Sequence, residues 1–132
     1  MENIELIVGG LIFNSRDELL AISGHKWKER YVVPGGHVER GEPPEAALHR
    51  EVFEETSLDI EIVKLLGIQE SLGSAFAPER HLVFIDYLCR ASSSTVVPSD
   101  EAKRHRWLSS ITRAETPLGE FTQRGIELYS LL

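Results

Sequence analysis

A single cysteine, Cys89, occurs among the 132 residues, which excludes an intramolecular disulfide and a cysteine-rich zinc site. It lies in the apolar-rich run 81–90, where a small buried hydrophobe is its expected role, and one unpaired thiol fits a reducing cytoplasm. The five histidines show no pair at metal-ligand spacing on one element, which removes the other common zinc arrangement. Basic charge is short as well. Lys and Arg number 14 against 21 Asp and Glu, for a net charge of −7, so the chain lacks the basic excess of a phosphate-backbone binder and long nucleic acid is not an expected partner. Long apolar runs are missing too: the early stretch 6–13 (LIVGGLIF) is far too short to span a bilayer and follows Glu2 and Glu5 instead of a basic region. Neither a membrane partner nor a targeting segment is therefore expected, and a cytoplasmic location is.

What is present fits one soluble domain across 1–132. A composition of 42% hydrophobic and 27% charged residues supports a buried core without disulfide staples. No internal repeat is visible, and the only low-complexity stretch, 91–95 (ASSST), reads as a turn between strands. Apolar β-formers flanking a polar cluster predict a strand over 4–13, a hairpin loop over 14–17 and a returning strand over 18–22. A short strand over 31–33 is then stopped by Pro34-Gly35-Gly36, and a polar loop follows over 37–42. Pro at the first turn and a run of good helix formers predict a helix over 44–56. Strands are expected over 60–68, 81–89 and 105–108, and a terminal helix over 121–132, where Ile126, Tyr129 and Leu132 recur at helical spacing. Strands alternating with two or three helices imply an α/β (α+β) sandwich.

On the helix over 44–56, Glu51, Glu54 and Glu55 occupy one stripe about 100° wide. Leu48 and Val52 flank the stripe, and Ala46 and Phe53 lie on the far side, so apolar layers are expected to grip the helix while the acidic stripe faces an opening. Like charges at these spacings destabilise a helix by roughly 0.2–0.5 kcal/mol per pair, and something should offset that. A hard divalent cation such as Mg²⁺ or Mn²⁺ is suited to it, because it takes oxygen ligands from a few carboxylates plus water and substrate phosphates. Arg50 can pair with one carboxylate and hold its orientation. Taken alone, the three glutamates read equally as a solvated helix face.

The wider spacing distinguishes these readings. From Gly36 the chain runs five residues to Glu42, seven more to Arg50, then Glu51-Val52-Phe53-Glu54-Glu55-Thr56-Ser57-Leu58. This resembles the Nudix box, G-x5-E-x7-R-E-U-x-E-E-x-G-U with U aliphatic, over all 23 positions from 36 to 58, with one departure: Ser57 stands where the family has glycine. Pro34 and Gly35 before the box and Trp107 after it extend the likeness more loosely. The resemblance implies a Nudix fold, a mixed β-sheet sandwiched between helices as an α/β/α sandwich, and hydrolysis of a nucleoside diphosphate linked to another moiety, with Mg²⁺ as cofactor and Mn²⁺ as a substitute. Carried over by position, Glu51, Glu54 and Glu55 match metal-binding glutamates, the Gly36 carbonyl is a further ligand, and Glu42 and Arg50 brace the loop and helix. One of Glu51 and Glu54 is expected to take the proton of the attacking water, with Asp100 and Glu101 as acids outside the box. Six glutamates (Glu39, Glu42, Glu45, Glu51, Glu54, Glu55) against Arg40 and Arg50 give the box a charge of −4 out of the total −7, as a cation site requires. A left-handed Ser57 costs on the order of 1 kcal/mol relative to glycine and touches no ligand.

Substrate contacts are less marked. Lys26, Lys28, Arg30 and Arg80 are cations that can reach a phosphate, and Trp27, Phe76, His81 and Phe84 can supply a base platform or a polar edge; each also reads as ordinary surface or core. The Pro-Gly-Gly-His-Val-Glu run with an upstream Trp is similar to small Nudix enzymes acting on nucleoside triphosphates, oxidised ones included. An ADP-ribose or other nucleotide-sugar diphosphatase, and a non-catalytic nucleotide-binding Nudix domain, are the alternatives. A homodimer through the strand over 4–13 or the terminal helix stays open.

Overall fold

Strand β1 (Ile4–Phe13) alternates its side chains between two buried surfaces. In the computed structural model, which describes residues 3–75 and 77–130, Val8 and Ile12 enter one core cluster, and Leu11 and Phe13 enter the other. Strand β2 (Leu19–Ser23) does the same, sending Leu20 and Ile22 one way and Leu19 and Ala21 the other. A strand with an apolar layer on both sides must lie inside a sandwich. The hairpin joining them is closed by Asn14, whose Oδ1 accepts the backbone N–H groups of Arg16 and Glu18, both at 3.0 Å.

The remaining strands are β3 (Tyr31–Val32), β4 (Gly35–His37), β5 (Ile60–Leu72), β6 (His81–Ala91) and β7 (Arg104–Leu108), and the helices are α1 (Pro44–Thr56), α2 (Ser110–Ala114) and α3 (Glu120–Tyr129). They build one mixed sheet of seven strands in the order β3-β2-β1-β6-β5, with β4 also on β1 and β7 also on β2. Only the β1–β6 pairing is parallel among the named strands. Helix α1 closes one face through Ala47, Leu48 and Val52, and α3 closes the other through Ile126. Cys89 is fully buried on the α1 side, as its apolar setting predicts. No described helix is long and apolar enough to cross a membrane.

Several local expectations are corrected. The third strand ends at Val32, and Gly35–His37 form β4, where a strand break at the glycines and a loop from 37 were expected: Gly35 pairs with Gly9, Gly36 with Val8 and His37 with Ile7. A Cβ on Gly35 would sit 2.0 Å from the Val8 carbonyl oxygen, so glycine here permits close strand pairing and does not merely break a strand. Strands β5 and β6 run past 68 and 89 because they pair over their whole length, from Ile60 opposite Ala91 to Leu72 opposite His81. Helix α3 starts at Glu120 and is described to Tyr129; the expected Leu132 lies outside the described residues. Helix α2 went unforeseen although Ser109 and Thr112 cap it reciprocally. One apolar layer, not two, grips α1, since Ala46 and Phe53 are exposed. Strand β1 is interior, paired along its length with β6 and on its other side with β4 and β2, so it is not an open sheet edge for a second copy.

Candidate active site

Helix α1 begins at Pro44, as expected, and ends against a left-handed Ser57 with φ 61° and ψ 17°, whose N–H closes on the Phe53 carbonyl at 2.9 Å. Serine therefore adopts the conformation that glycine would have taken, and the acidic stripe keeps its direction. At the centre of the site is Arg50. Its Nε and Nη2 donate to the two carboxylate oxygens of Glu42 at 2.8 and 3.0 Å, Nη1 donates to Glu51 at 2.9 Å and Glu54 at 3.4 Å, and Nη2 also reaches the His37 carbonyl at 3.1 Å. The guanidinium fork thus ties the box loop to the helix and offsets part of the like-charge repulsion. Glu42 accepts in addition from the Glu39 N–H at 3.1 Å. Arg50, and secondarily that N–H, hold the Glu42 carboxyl at a pKa of about 2.

Glu55 is set differently. It is buried, one oxygen accepts the Gly35 N–H at 3.0 Å, and the other has no hydrogen-bond partner among the described residues. Burial lifts its pKa to about 8 against the opposing pull of the Gly35 N–H. Glu51 is also raised, again by burial, with Arg50 acting against the rise. Its carboxylate lies against the Gly36 backbone: a Cβ on Gly36 would meet it at 2.4–2.7 Å. A glycine is needed at that point, and its backbone is held beside a carboxylate.

These residues line an open cavity of about 470 Å³ together with Lys26, His37, Glu39, Ser99, Asp100 and Glu101. The sequence-derived candidates Gly36, Arg50, Glu51, Glu54 and Glu55 are therefore gathered on one wall, Asp100 and Glu101 join them from the segment before β7, and Glu42 stands behind Arg50. Others are directed elsewhere. Arg80 is committed to Glu5 at 2.6–2.7 Å, His81 to Glu70 at 2.9 Å, and Phe84 stacks on Phe121 with centroids 4.3 Å apart. Trp27 packs against the α1-side core, Lys28 is a left-handed exposed residue outside the cavity lining, and Phe76 lies outside the described residues. Sequence reasoning passed over His37, Glu39 and Ser99. The first two sit beside Gly36 in the box and could have been found there, whereas Ser99 carries no local signal.

The donor set is all oxygen, as a hard divalent cation prefers. An unpartnered buried carboxylate oxygen on Glu55 and a backbone segment pressed against Glu51 fit such a cation. The carboxylates are held apart by Arg50, and among the described residues no three His, Cys, Asp or Glu side chains stand together as a ready-made cage. A NUDIX domain model matches residues 4–127. The chain belongs to the NUDIX family.

Members of this hydrolase family generally use divalent metals and act on small nucleotide substrates. A MutT-like protein of Streptomyces ambofaciens is 29% identical over 127 residues, covering 94% of this chain and 71% of that protein. The diphosphoinositol polyphosphate phosphohydrolase 3-alpha of Mus musculus is 41% identical over 54 residues, 41% of this chain and 33% of that protein. The chain thus spans about a third of the length of such curated relatives. Among solved structures, the MutT protein of Methanosarcina mazei Go1 superposes with a TM-score of 0.84 at 20% identity, covering 98% of this chain and 96% of the other. That likeness carries the fold.

Proposed function

We propose that this Nudix chain hydrolyses a nucleoside diphosphate linked to another moiety, most readily a nucleoside triphosphate, ordinary or oxidised, with Mg²⁺ as cofactor and Mn²⁺ as substitute. The observation that carries the reading is the meeting of Glu51, Glu54 and Glu55 with the Gly36 backbone on one cavity wall. Those carboxylates and the Gly36 carbonyl would hold the cation. When bound, it neutralises phosphate oxygens and lowers the pKa of an attacking water. Glu54 reaches the cavity with its side chain 58% exposed and its single Arg50 contact at 3.4 Å, so it is free to take the proton of that water; Glu51, more tightly held by Arg50 and half-buried, is the second choice. Arg50 and Glu42 keep the stripe and the box loop in register.

A nucleotide is favoured over an inositol polyphosphate by the longer alignment to a protein named as an 8-oxo-dGDP phosphatase, which covers 52% of this chain against 41% for the diphosphoinositol polyphosphate phosphohydrolase. A densely anionic inositol phosphate needs a strongly basic surround, and this cavity offers only Lys26, Arg50 and His37 among seven acidic or hydroxyl side chains and a glycine. The testing experiment is phosphate and pyrophosphate release from a panel of ordinary and oxidised dNTPs, ADP-ribose and dinucleoside polyphosphates, with Mg²⁺ and with EDTA. Metal-dependent turnover of dNTPs is the expected result. Selective turnover of ADP-ribose would replace the substrate assignment, and binding without turnover throughout would overturn the hydrolase reading in favour of a nucleotide-binding domain.

A further inference from the structure

The cavity that the carboxylate stripe lines is also lined by one lysine, Lys26, on a segment under local backbone strain. After β2 the chain makes a 3-10 turn over His25–Trp27, and the next two residues, Lys28 and Glu29, both lie in the left-handed region with φ 53° and 64°. Two consecutive non-glycine residues there are costly and persist only where their surroundings hold them. Here they are held from several sides. The Gly24 carbonyl accepts the N–H groups of Trp27 and Glu29, both at 3.2 Å, Ser23 Oγ donates to the Arg30 carbonyl at 2.8 Å, and Glu29 pairs with Arg104.

The same segment is pressed against the loop that brings Glu101. A Cβ on Gly24 would lie 2.0 Å from the Glu101 carbonyl oxygen, so only glycine allows this approach. The result is a loose ion pair at the cavity, Lys26 Nζ to Glu101 Oε2 at 3.6 Å, with the side chains 54% and 58% exposed. Lys26 Nζ also lies 5.4 Å from the centre of the Trp27 ring, a cation–π contact. The other cations weighed for phosphate contact differ: Arg80 is held bidentately by Glu5, and Arg30 donates to the Leu118 carbonyl. An exposed pair of this kind is weak and exchanges readily for a stronger anion.

We propose that Lys26 is a phosphate-binding residue of the site and that Glu101 occupies its ammonium until a polyphosphate displaces it. The proposal rests on the nucleotide reading above for the identity of the anion, and names the residue that takes its phosphate chain. A strained, glycine-locked loop then serves to present one ammonium opposite an acidic wall, where a phosphate oxygen is drawn between opposite charges.

The test uses the full chain with inorganic triphosphate and Mg²⁺, which present the phosphate chain without a base, read by calorimetry, and steady-state kinetics on the best nucleotide. Lys26→Gln should weaken triphosphate binding about tenfold and raise KM by a larger factor than it lowers kcat, with Lys26→Arg restoring much of the affinity. Glu101→Gln should tighten triphosphate binding severalfold, and the double variant should bind like Lys26→Gln. Unchanged affinity in Lys26→Gln, or weaker binding in Glu101→Gln, overturns the proposal. If turnover stays metal-dependent while triphosphate binding is indifferent to Lys26, this inference fails alone. If the affinities follow the expected pattern but no nucleotide is turned over, the hydrolase reading fails and this one stands.

Discussion

Arg50 and Glu42, eight residues apart, are joined by two parallel hydrogen bonds of 2.8 and 3.0 Å, and this pair couples the loop that follows β4 to the helix that carries the acidic stripe. The same guanidinium contacts Glu51, Glu54 and the His37 carbonyl. A single side chain therefore sets the relative position of backbone and carboxylates at the site.

Arg50→Lys keeps the charge and removes the fork. A lysine cannot serve both Glu42 oxygens and reach Glu51 as well, so the melting temperature should fall by several degrees and turnover should drop by about tenfold or more. Thermal melts and kcat on the same preparation check this, and a variant unchanged in both would dismiss the bracing role.

Glu54→Gln should reduce turnover by about a hundredfold or more while leaving the melting temperature nearly where it was, because this side chain is mostly solvated and its single Arg50 contact is the longest of the set. Near-normal kcat in the variant would transfer the proton-accepting role to Glu51 or to an acid outside the box.

Glu55 has the opposite character. Its folded pKa of about 8 lies above its ordinary 4.5 because it is buried, so folding favours its protonated form. That contribution to stability is complete below about pH 4.5 and is lost as pH rises through about 8 in the metal-free protein. Glu55→Gln keeps an oxygen to accept the Gly35 N–H and removes the buried charge. In EDTA the variant should hold its melting temperature from about pH 6 to about pH 9 while the wild type declines. Mg²⁺ should raise the melting temperature of the wild type and not of the variant. An equal Mg²⁺ response in both would remove Glu55 from the cation site.

Ser57→Gly relieves a left-handed serine at the end of α1. It should stabilise the protein by about 0.3–1 kcal/mol, net of the greater freedom glycine gives the unfolded chain. The denaturant midpoint reads this directly, and a lower midpoint would mean that the serine contributes a contact outweighing its backbone strain.

Helix α1 was legible residue by residue. Pro44 at its first turn and the break at Ser57 are local signals, and the stripe of Glu51, Glu54 and Glu55 follows from 3.6-residue geometry alone. The place of Gly36 beside those carboxylates was implied by the resemblance to the Nudix box, not by local geometry. Strand β4 was not legible, because Gly35-Gly36 is a breaker by local propensity and becomes a strand only when β1 lies alongside. Arg80 and His81 illustrate the same limit: taken alone, Arg80 suited a phosphate and His81 the edge of a base, yet folding commits them to Glu5 and Glu70.

The sequence by itself determined the helix and its acidic face, because these depend on bonds and periodicities within a few residues. Only the tertiary structure decided which of the scattered charges meet. Lys26 and Glu101 are brought to the cavity across 75 residues by a glycine that lets two loops touch, and Glu55 is made a high-pKa carboxylate by burial. Contact between distant loops and removal of a charge from water are properties of the packed chain, and no local pattern encodes them.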